Sequence, residues 1–138
     1  MKVCFQDFDG VIWSYRTYQF SPEACKNLQD LLTQEPDLKV VISSSWRKLG
    51  LDQCKRTLDK NGIDSSRVIG RTGNELEGRG KEIQDWLDEH PEVTTYVILD
   101  DESSDMPKLL DRLVKPDRYI GLTKENVKEA IDILKTPC

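Results

Sequence analysis

The sequence is poor in the residues that build zinc sites and disulfide frameworks. It has one histidine, His90, and four scattered cysteines without a C-x-x-C pair, so neither a zinc site nor a disulfide-stapled fold is predicted. Cys4, Cys25 and Cys54 fall at apolar-periodic positions, and we expect them to be small core residues. Function therefore has to come from other residue types.

Long apolar segments are also missing. No apolar run approaches the ~20 residues that cross a bilayer. Lys2 leads directly into a predicted strand, without the small-residue cleavage site of a signal peptide. We therefore expect a cytoplasmic protein without a membrane partner.

Positive charge is in deficit, because 20 lysines and arginines face 25 aspartates and glutamates for a net charge of −5. A long nucleic-acid footprint needs a basic surface, so none is expected, although a single phosphorylated end could still bind. The glycine-rich loop 70–80 lacks the Gly-Lys-Ser/Thr ending of a P-loop, and nucleotide binding of that kind is not predicted. The chain length predicts one domain, 1–138, without a linker or an internal repeat.

Predicted strands and helices alternate along the whole chain. Ser21-Pro22 is a helix start with an N-cap followed by proline, and Thr123 can cap the last helix. The alternation predicts an α/β three-layer sandwich with a mainly parallel, five-stranded sheet. The predicted strands are 2–6, 38–42, 67–69, 96–99 and 119–120.

Two aspartates one residue apart end the first predicted strand. Asp7 and Asp9 point the same way if the extended backbone continues to them, and Gly10 follows. Two carboxylates aimed at one spot repel each other, and a hard divalent cation would offset that repulsion most simply. The alternative at this point is an Asp-rich turn, in which the carboxylates accept hydrogen bonds from backbone N–H groups.

Polar side chains also follow other predicted strands, with Ser43 after the second and Asp100 and Asp101 after the fourth. Ligands of parallel sheets bind outside the carboxyl ends of the strands, so these residues would share a crevice with Asp7 and Asp9 if the first and fourth strands are neighbours. Such a group of carboxylates suits Mg²⁺, which also accepts substrate phosphate oxygens. One carboxylate can then attack phosphorus, while a second protonates the leaving oxygen and activates water.

In their order and spacing, these clusters resemble the motifs of the haloacid dehalogenase (HAD) superfamily over nearly the whole chain. The run Asp7-Phe8-Asp9-Gly10-Val11 resembles the first motif, Ser43 the second, and Asp100-Asp101 the fourth. The resemblance implies a Rossmann-like fold and an Mg²⁺-dependent phosphomonoester hydrolase that works through an aspartyl-phosphate intermediate. It is the phosphatase pattern, because dehalogenases of the superfamily lack the second aspartate of the first motif.

The same resemblance implies a role for each matching residue. Asp7 would be the nucleophile and Asp9 the general acid and base, with the Ser43 hydroxyl holding a phosphoryl oxygen. Mg²⁺ would be held by Asp7, the backbone carbonyl of Asp9, and Asp100 or Asp101.

Two cations fit the third motif, which the superfamily places near the start of the helix before the fourth. The Arg-Gly-x-Glu-Ile run favours Arg79, whereas the distance to Asp100 favours Lys81, as in polynucleotide 3′-phosphatases. Both remain candidates. The runs Ser-Ser-Ser-Trp-Arg, Arg-Gly-x-Glu-Ile-x-x-Trp-Leu and Ile-Leu-Asp-Asp also resemble the small HAD domains of RNA-repair "Swiss army knife" proteins.

The gaps between the motifs leave no room for a cap domain, so the resemblance implies a capless enzyme with an open site. Such a site suits a phosphorylated nucleotide or nucleic-acid end; the alternatives are an inactive phosphate-recognising module and a small-metabolite phosphatase. Four aromatic residues follow the first motif and could either stack on a base or pack internally. These are Trp13, Tyr15, Tyr18 and Phe20, and the predicted substrate-binding residues are Gly10, Ser44, Trp46 and Arg47.

Overall fold

A parallel sheet forms the centre of the molecule. The computed structural model describes residues 1–73 and 78–138; residues 74–77, part of the predicted loop 70–80, lie outside them. The described strands are β1 (Lys2–Gln6), β2 (Trp13–Ser14), β3 (Gln19–Phe20), β4 (Leu38–Ile42), β5 (Val68–Arg71), β6 (Thr95–Leu99) and β7 (Leu113–Val114). Five of them form a sheet in the order β5–β4–β1–β6–β7 with every pair parallel, and β2 and β3 form a separate antiparallel hairpin.

Helices cover both faces of this sheet, which confirms the predicted three-layer α/β class. They are α1 (Pro22–Gln34), α2 (Leu51–Lys60), α3 (Arg79–Glu89) and α4 (Lys124–Leu134). The helices α1, α2 and α4 pack on one face, against Cys4, Ile42 and Val97 among others. Helix α3 packs on the other face, against Phe5 and Ile98.

The helix starts follow from the capping residues predicted in the sequence. The Ser21 hydroxyl accepts a hydrogen bond from the Ala24 backbone N–H at 3.1 Å, and Pro22 occupies the first turn of α1. Thr123 and Asn126 form a reciprocal capping box at the start of α4. Among the described residues, no helix has the length and apolar character needed to cross a membrane.

The three cysteines predicted to be core residues, Cys4, Cys25 and Cys54, are all buried. Burial raises the pKa of the Cys4 thiol to about 12 and that of Cys25 to about 11. Thiols that ionise so weakly are poor nucleophiles, so these cysteines serve packing.

The last strand lies earlier in the chain than its predicted position. Leu113 and Val114 form β7 beside Ile98 and Leu99, whereas the predicted strand 119–120 is a turn. Asp117 determines this turn, because its carboxylate accepts from the Tyr119 backbone N–H at 2.8 Å and its carbonyl accepts from the Gly121 N–H at 2.7 Å. The hydrogen bonds of this turn outweigh the strand propensity of Tyr119 and Ile120.

No cap domain interrupts the described residues. Between Asp9 and the start of β4 the chain forms only the β2–β3 hairpin and α1. Between Ser43 and Arg79 the described part contains α2, β5 and two short 3₁₀ turns. No inserted domain among the described residues therefore covers the carboxyl ends of the central strands.

Candidate active site

The register of the sheet brings the polar strand ends together. Gln6 of β1 aligns with Ile42 of β4 and Leu99 of β6. The ladder continues one residue further, because the Ser43 N–H donates to the Gln6 carbonyl and the Asp7 N–H donates to the Leu99 carbonyl. Asp7 therefore lies between Ser43 and the residue after Leu99, which is Asp100. Because β4 and β6 extend the sheet in opposite directions from β1, this is its topological switch point.

Three buried carboxylates form the centre of the site. Oxygen atoms of Asp7, Asp100 and Asp101 all lie within 4.8 Å of one another. Burial raises the pKa of Asp7 well above its usual value, and the charge of Asp100 raises it further. Burial likewise raises the pKa of Asp100, although Arg79 opposes this effect. Such a cluster calls for a cation to offset the repulsion.

Arg79 is the cation in contact with two of these carboxylates. Its Nη1 atom lies 2.7 Å from Asp100 Oδ2 and 3.2 Å from Asp7 Oδ2. Burial alone would lower the pKa of Arg79, but the negative charges of Asp7 and Asp100 outweigh that effect and raise it. Asp105 accepts a hydrogen bond from the Arg79 backbone N–H at 2.8 Å, which fixes the first residue of α3 beside the cluster.

Lys81, the other candidate for the third motif, lies elsewhere on α3. Its ammonium group forms an ion pair with Asp85 one helical turn further on, and its side chain is 48% exposed. The described residues that line the cleft include Arg79 and do not include Lys81. The position of Arg79 therefore fits a role beside Asp7, whereas that of Lys81 does not.

Asp9 is held by a side chain from a different part of the chain. The indole Nε1–H of Trp46 donates a hydrogen bond of 2.7 Å to Asp9 Oδ1. The Trp46 ring is itself fixed, since it packs against Phe8 and Phe20 with ring centroids 5.7 and 5.3 Å away. Trp46 was predicted to bind substrate; its position gives it a contact with the candidate acid and base instead.

Ser43 and Ser44 differ in how their hydroxyl groups are satisfied. Ser43 Oγ is buried and has no hydrogen-bond partner among the described residues. A buried hydroxyl without a partner is costly, and a phosphoryl oxygen would satisfy it. The Ser44 hydroxyl, predicted to contact substrate, instead accepts from the Trp46 backbone N–H at 3.3 Å and caps the 3₁₀ turn Ser45–Leu49.

Arg47, which was predicted to bind substrate, makes structural contacts with its side chain. Its side chain is only 7% exposed and forms a 2.9 Å ion pair with Glu82 of α3. It also donates to the backbone carbonyls of Ser44 and Gly73. These contacts connect the loop after β4 to α3, the helix that carries Arg79.

The cleft above the carboxylates has a volume of about 430 Å³. Tyr15 and Arg118 also line the cleft, and Arg118 belongs to none of the motifs described above. The Arg118 guanidinium forms two ion pairs, with Nε 3.5 Å from Asp101 Oδ2 and Nη2 3.2 Å from Glu102 Oε2. A sequence signal for Arg118 is lacking, because its approach to the cleft depends on the turn at 117–121 and not on a strand end.

Gly10 makes space for one of the carboxylates. Its φ is +79°, and a Cβ atom there would meet the Asp101 side chain at 2.8 Å or closer. Its backbone N–H donates to the Trp13 carbonyl at 2.7 Å. Gly10 was predicted to bind substrate, and its position shows the need for a residue without a side chain at this turn.

Gly10→Ala is therefore expected to reduce the free energy of unfolding by about 2–4 kcal/mol, since left-handed strain adds to overlap with Asp101. Gly62→Ala is a matched control: Gly62 has the same φ of +79°, but a Cβ there meets nothing within 4 Å. The control should lose about 1–2 kcal/mol from strain alone. Urea denaturation of both variants measures the difference, and equal losses would mean that Asp101 moves aside without cost.

The fold and this site together define the class of protein. A parallel α/β sheet with an Asp-x-Asp strand end, a neighbouring serine and a second acidic pair is the arrangement of the HAD superfamily. The family model "HAD domain in Swiss Army Knife RNA repair proteins" matches residues 3–127, and the chain belongs to this family. No curated protein and no solved structure gave a significant match.

Proposed function

We propose that this protein is an Mg²⁺-dependent phosphomonoester hydrolase whose substrate is the terminal phosphate of a nucleotide or a nucleic-acid end. The observation that carries the proposal is the position of Asp7. Its carboxylate lies between the guanidinium of Arg79 and the neighbouring strand ends, at the floor of an open cleft. Membership of a HAD family supports phosphate chemistry at such an aspartate.

The proposed reaction has two steps, and Asp7 is the nucleophile in the first. Its carboxylate oxygen attacks phosphorus, the bond from phosphorus to the leaving oxygen breaks, and Asp9 gives that oxygen a proton. In the second step, Asp9 takes a proton from water as the water oxygen attacks phosphorus. The bond between phosphorus and Asp7 then breaks, which releases phosphate and regenerates the Asp7 carboxylate, while Asp9 is again the protonated acid with which the cycle began.

Arg79 and Ser43 would bind the phosphoryl oxygens during these steps. The Arg79 guanidinium offsets the negative charge that the phosphoryl group brings beside Asp7 and Asp100. The unpartnered hydroxyl of Ser43 can donate a hydrogen bond to another oxygen without losing an existing contact.

The donor set at the cleft fits Mg²⁺. Asp7, Asp100 and Asp101 offer only oxygen atoms, and their mutual repulsion favours a divalent cation. These three residues would hold the ion, together with the backbone carbonyl of Asp9. When bound, Mg²⁺ would neutralise charge on the phosphoryl oxygens.

Three features support a nucleic-acid end over a small metabolite. The site has no cap in the described residues, so a long substrate can enter it. The matched family consists of HAD domains in RNA repair proteins. The net charge of −5 disfavours a long footprint and leaves the terminal residues of a chain as the part that binds.

Phosphate release from a substrate panel tests the proposal. The panel contains 3′- and 5′-phosphorylated oligonucleotides, mononucleotides and sugar phosphates, each with and without Mg²⁺. We expect Mg²⁺-dependent release that is fastest from an oligonucleotide or a nucleotide. Faster release from sugar phosphates would make the protein a small-metabolite phosphatase, and no release from any member by the folded protein would contradict the proposed activity.

Trp46→Phe is expected to impair protonation of the leaving group, since it removes the N–H donor to Asp9 and keeps a ring between Phe8 and Phe20. The kcat/KM for an alkyl phosphate should fall about 10-fold or more, because hydrogen bonds to charged groups contribute about 1.5–3 kcal/mol. It should fall much less for p-nitrophenyl phosphate, whose leaving group needs little protonation. Steady-state kinetics on both substrates measure this contrast.

Trp86→Phe is the control, because Trp86 belongs to α3 and its ring packs against Phe5 and His90, away from Asp9. It should affect both substrates equally. An equal loss on both substrates in Trp46→Phe would mean that Trp46 only supports packing.

A further inference from the structure

The hairpin beside the cleft carries a group of aromatic rings, which we call the aromatic platform: the half-buried Trp13 and the exposed Tyr15 and Tyr18. The Trp13 ring meets those of Tyr15 and Tyr18 edge to face, with centroids 5.2 and 5.8 Å away. Tyr15 is 37% exposed and Tyr18 is 72% exposed. An edge-to-face pair covers a face of only one of its rings, so aromatic faces remain open to a planar ligand.

The platform is held in place by its backbone. Tyr18 has φ of +55°, the sole positive value among the described non-glycine residues, and its N–H donates to the Ser14 carbonyl at 2.8 Å. Ser14 Oγ donates to the Tyr119 carbonyl at 2.9 Å, and the Tyr15 N–H donates to the Arg118 carbonyl at 3.1 Å. A tyrosine in this backbone region is uncommon and costs energy, which points to a use for its orientation.

The platform is continuous with the site of the proposed chemistry. Tyr15 lines the same cleft as Asp7, Asp9 and Asp101. Arg118, which also lines the cleft, places its guanidinium 6.0 Å from the centre of the Tyr15 ring. A ligand with a phosphate at Asp7 therefore has aromatic rings and a cation within reach of its neighbouring group.

We propose that the aromatic platform binds the nucleobase next to the terminal phosphate by stacking, in a single-stranded nucleotide or chain end. The inference rests on the proposed function for the position of the phosphate. Stacking of a base on an aromatic side chain contributes about 1–3 kcal/mol and tolerates any base, because every base has a π-face. The base must be unstacked from its neighbours, so a duplex end would bind less well than a single strand.

A phosphorylated protein is the competing class of substrate. The net negative charge of this chain does not favour a nucleic-acid end over a phosphorylated protein. The exposure of Tyr18 favours the base: a tyrosine with most of its ring in solvent offers a flat face, whereas an apolar peptide side chain would need a pocket.

Binding measurements in Asp7→Asn, which blocks turnover, test the proposal directly. The probes are two single-stranded oligonucleotides that end in a phosphorylated nucleotide, one with adenine at that position and one abasic. Each is titrated with Mg²⁺ present and with the phosphate at either end, while quenching of tryptophan fluorescence is followed. We expect the adenine probe to bind about 5- to 100-fold more tightly and to quench Trp13.

Tyr18→Asn and Tyr119→Ala make a matched pair. Asparagine tolerates the positive φ at position 18, and Tyr119 is a tyrosine of similar exposure, 57%, outside the platform. The preference for the adenine probe should fall several-fold in Tyr18→Asn and persist in Tyr119→Ala. Equal affinity for both probes, no binding of the adenine probe, or an unchanged preference in Tyr18→Asn would overturn the proposal.

Failure of this proposal is distinguishable from failure of the proposed function. Phosphate release by the unaltered protein is measured separately on the same two oligonucleotides. Release that is equally fast from the adenine and abasic probes would retain the phosphatase and overturn the base site. Preferential binding of adenine without any release would retain the base site and contradict the hydrolase.

Discussion

Asp7→Asn is expected to abolish Mg²⁺-dependent phosphate release, with a loss of at least about 10³-fold in kcat. An amide of the same shape retains the hydrogen bond from the Phe8 backbone N–H but cannot attack phosphorus. Phosphate release on the preferred panel substrate measures the effect. Asp9→Asn should lose about 10²–10⁴-fold, because it removes proton transfer and leaves the nucleophile in place.

Asp7→Asn should also be more stable than the unaltered protein when metal is removed by a chelator. Burial and the charge of Asp100 raise the pKa of Asp7, so the fold favours the protonated form of this side chain. The free energy of unfolding therefore falls as the pH rises through that raised pKa and Asp7 ionises. At pH 7 the neutral amide avoids this cost. We expect a gain of the order of 1 kcal/mol, or about 3 °C in Tm.

Thermal denaturation of both proteins across pH checks this expectation. The advantage of Asp7→Asn should shrink as the pH falls and Asp7 in the unaltered protein becomes protonated. A variant that is inactive and also less stable at pH 7 would show a folding defect, and its loss of activity would then say nothing about a nucleophile.

Arg47→Met is expected to reduce the free energy of unfolding by about 3–5 kcal/mol. Methionine fills much of the space of the arginine stem but leaves Glu82, which is 5% exposed, without its ion-pair partner. It also removes the donors to the Ser44 and Gly73 carbonyls. Urea denaturation measures the loss.

Lys81→Met is the matched control, since it breaks the exposed ion pair with Asp85 on the same helix. Exposed pairs contribute less than about 1 kcal/mol, so the control should differ little from the unaltered protein. Replacing Glu82 as well, in Arg47→Met/Glu82→Met, should recover part of the loss because no buried charge remains unpaired. Losses of equal size in Arg47→Met and Lys81→Met would contradict the structural role of the buried pair.

The strand ends at the site were predictable because they depend on local patterns. Each of β1, β4 and β6 is a short apolar run, and each ends where polar residues begin. The parallel order of an α/β sheet then brings Asp7, Ser43 and Asp100 to one edge. The two acidic motifs therefore fell in one site, as their positions in the sequence predicted.

The contacts of the loop side chains were not predictable, because they depend on packing between distant segments. Trp46 and Arg47 are adjacent in sequence, yet Trp46 donates a hydrogen bond to Asp9 and Arg47 forms an ion pair with Glu82. Nothing in the run Ser-Ser-Ser-Trp-Arg distinguishes these contacts. The fifth strand was misplaced for a related reason, since the turn made by Asp117 outweighs the strand propensity of Tyr119 and Ile120.

If Asp7 is the nucleophile, it becomes phosphorylated during turnover, and mass spectrometry of an acid-quenched reaction detects the adduct. The protein to use is Asp9→Asn with p-nitrophenyl phosphate and Mg²⁺, because this leaving group needs no acid while the missing base slows hydrolysis of the intermediate. We expect a peptide that contains Asp7 with the added mass of one phosphoryl group, absent in Asp7→Asn/Asp9→Asn. Release of p-nitrophenol without this adduct, or an adduct on another residue, would contradict this role of Asp7.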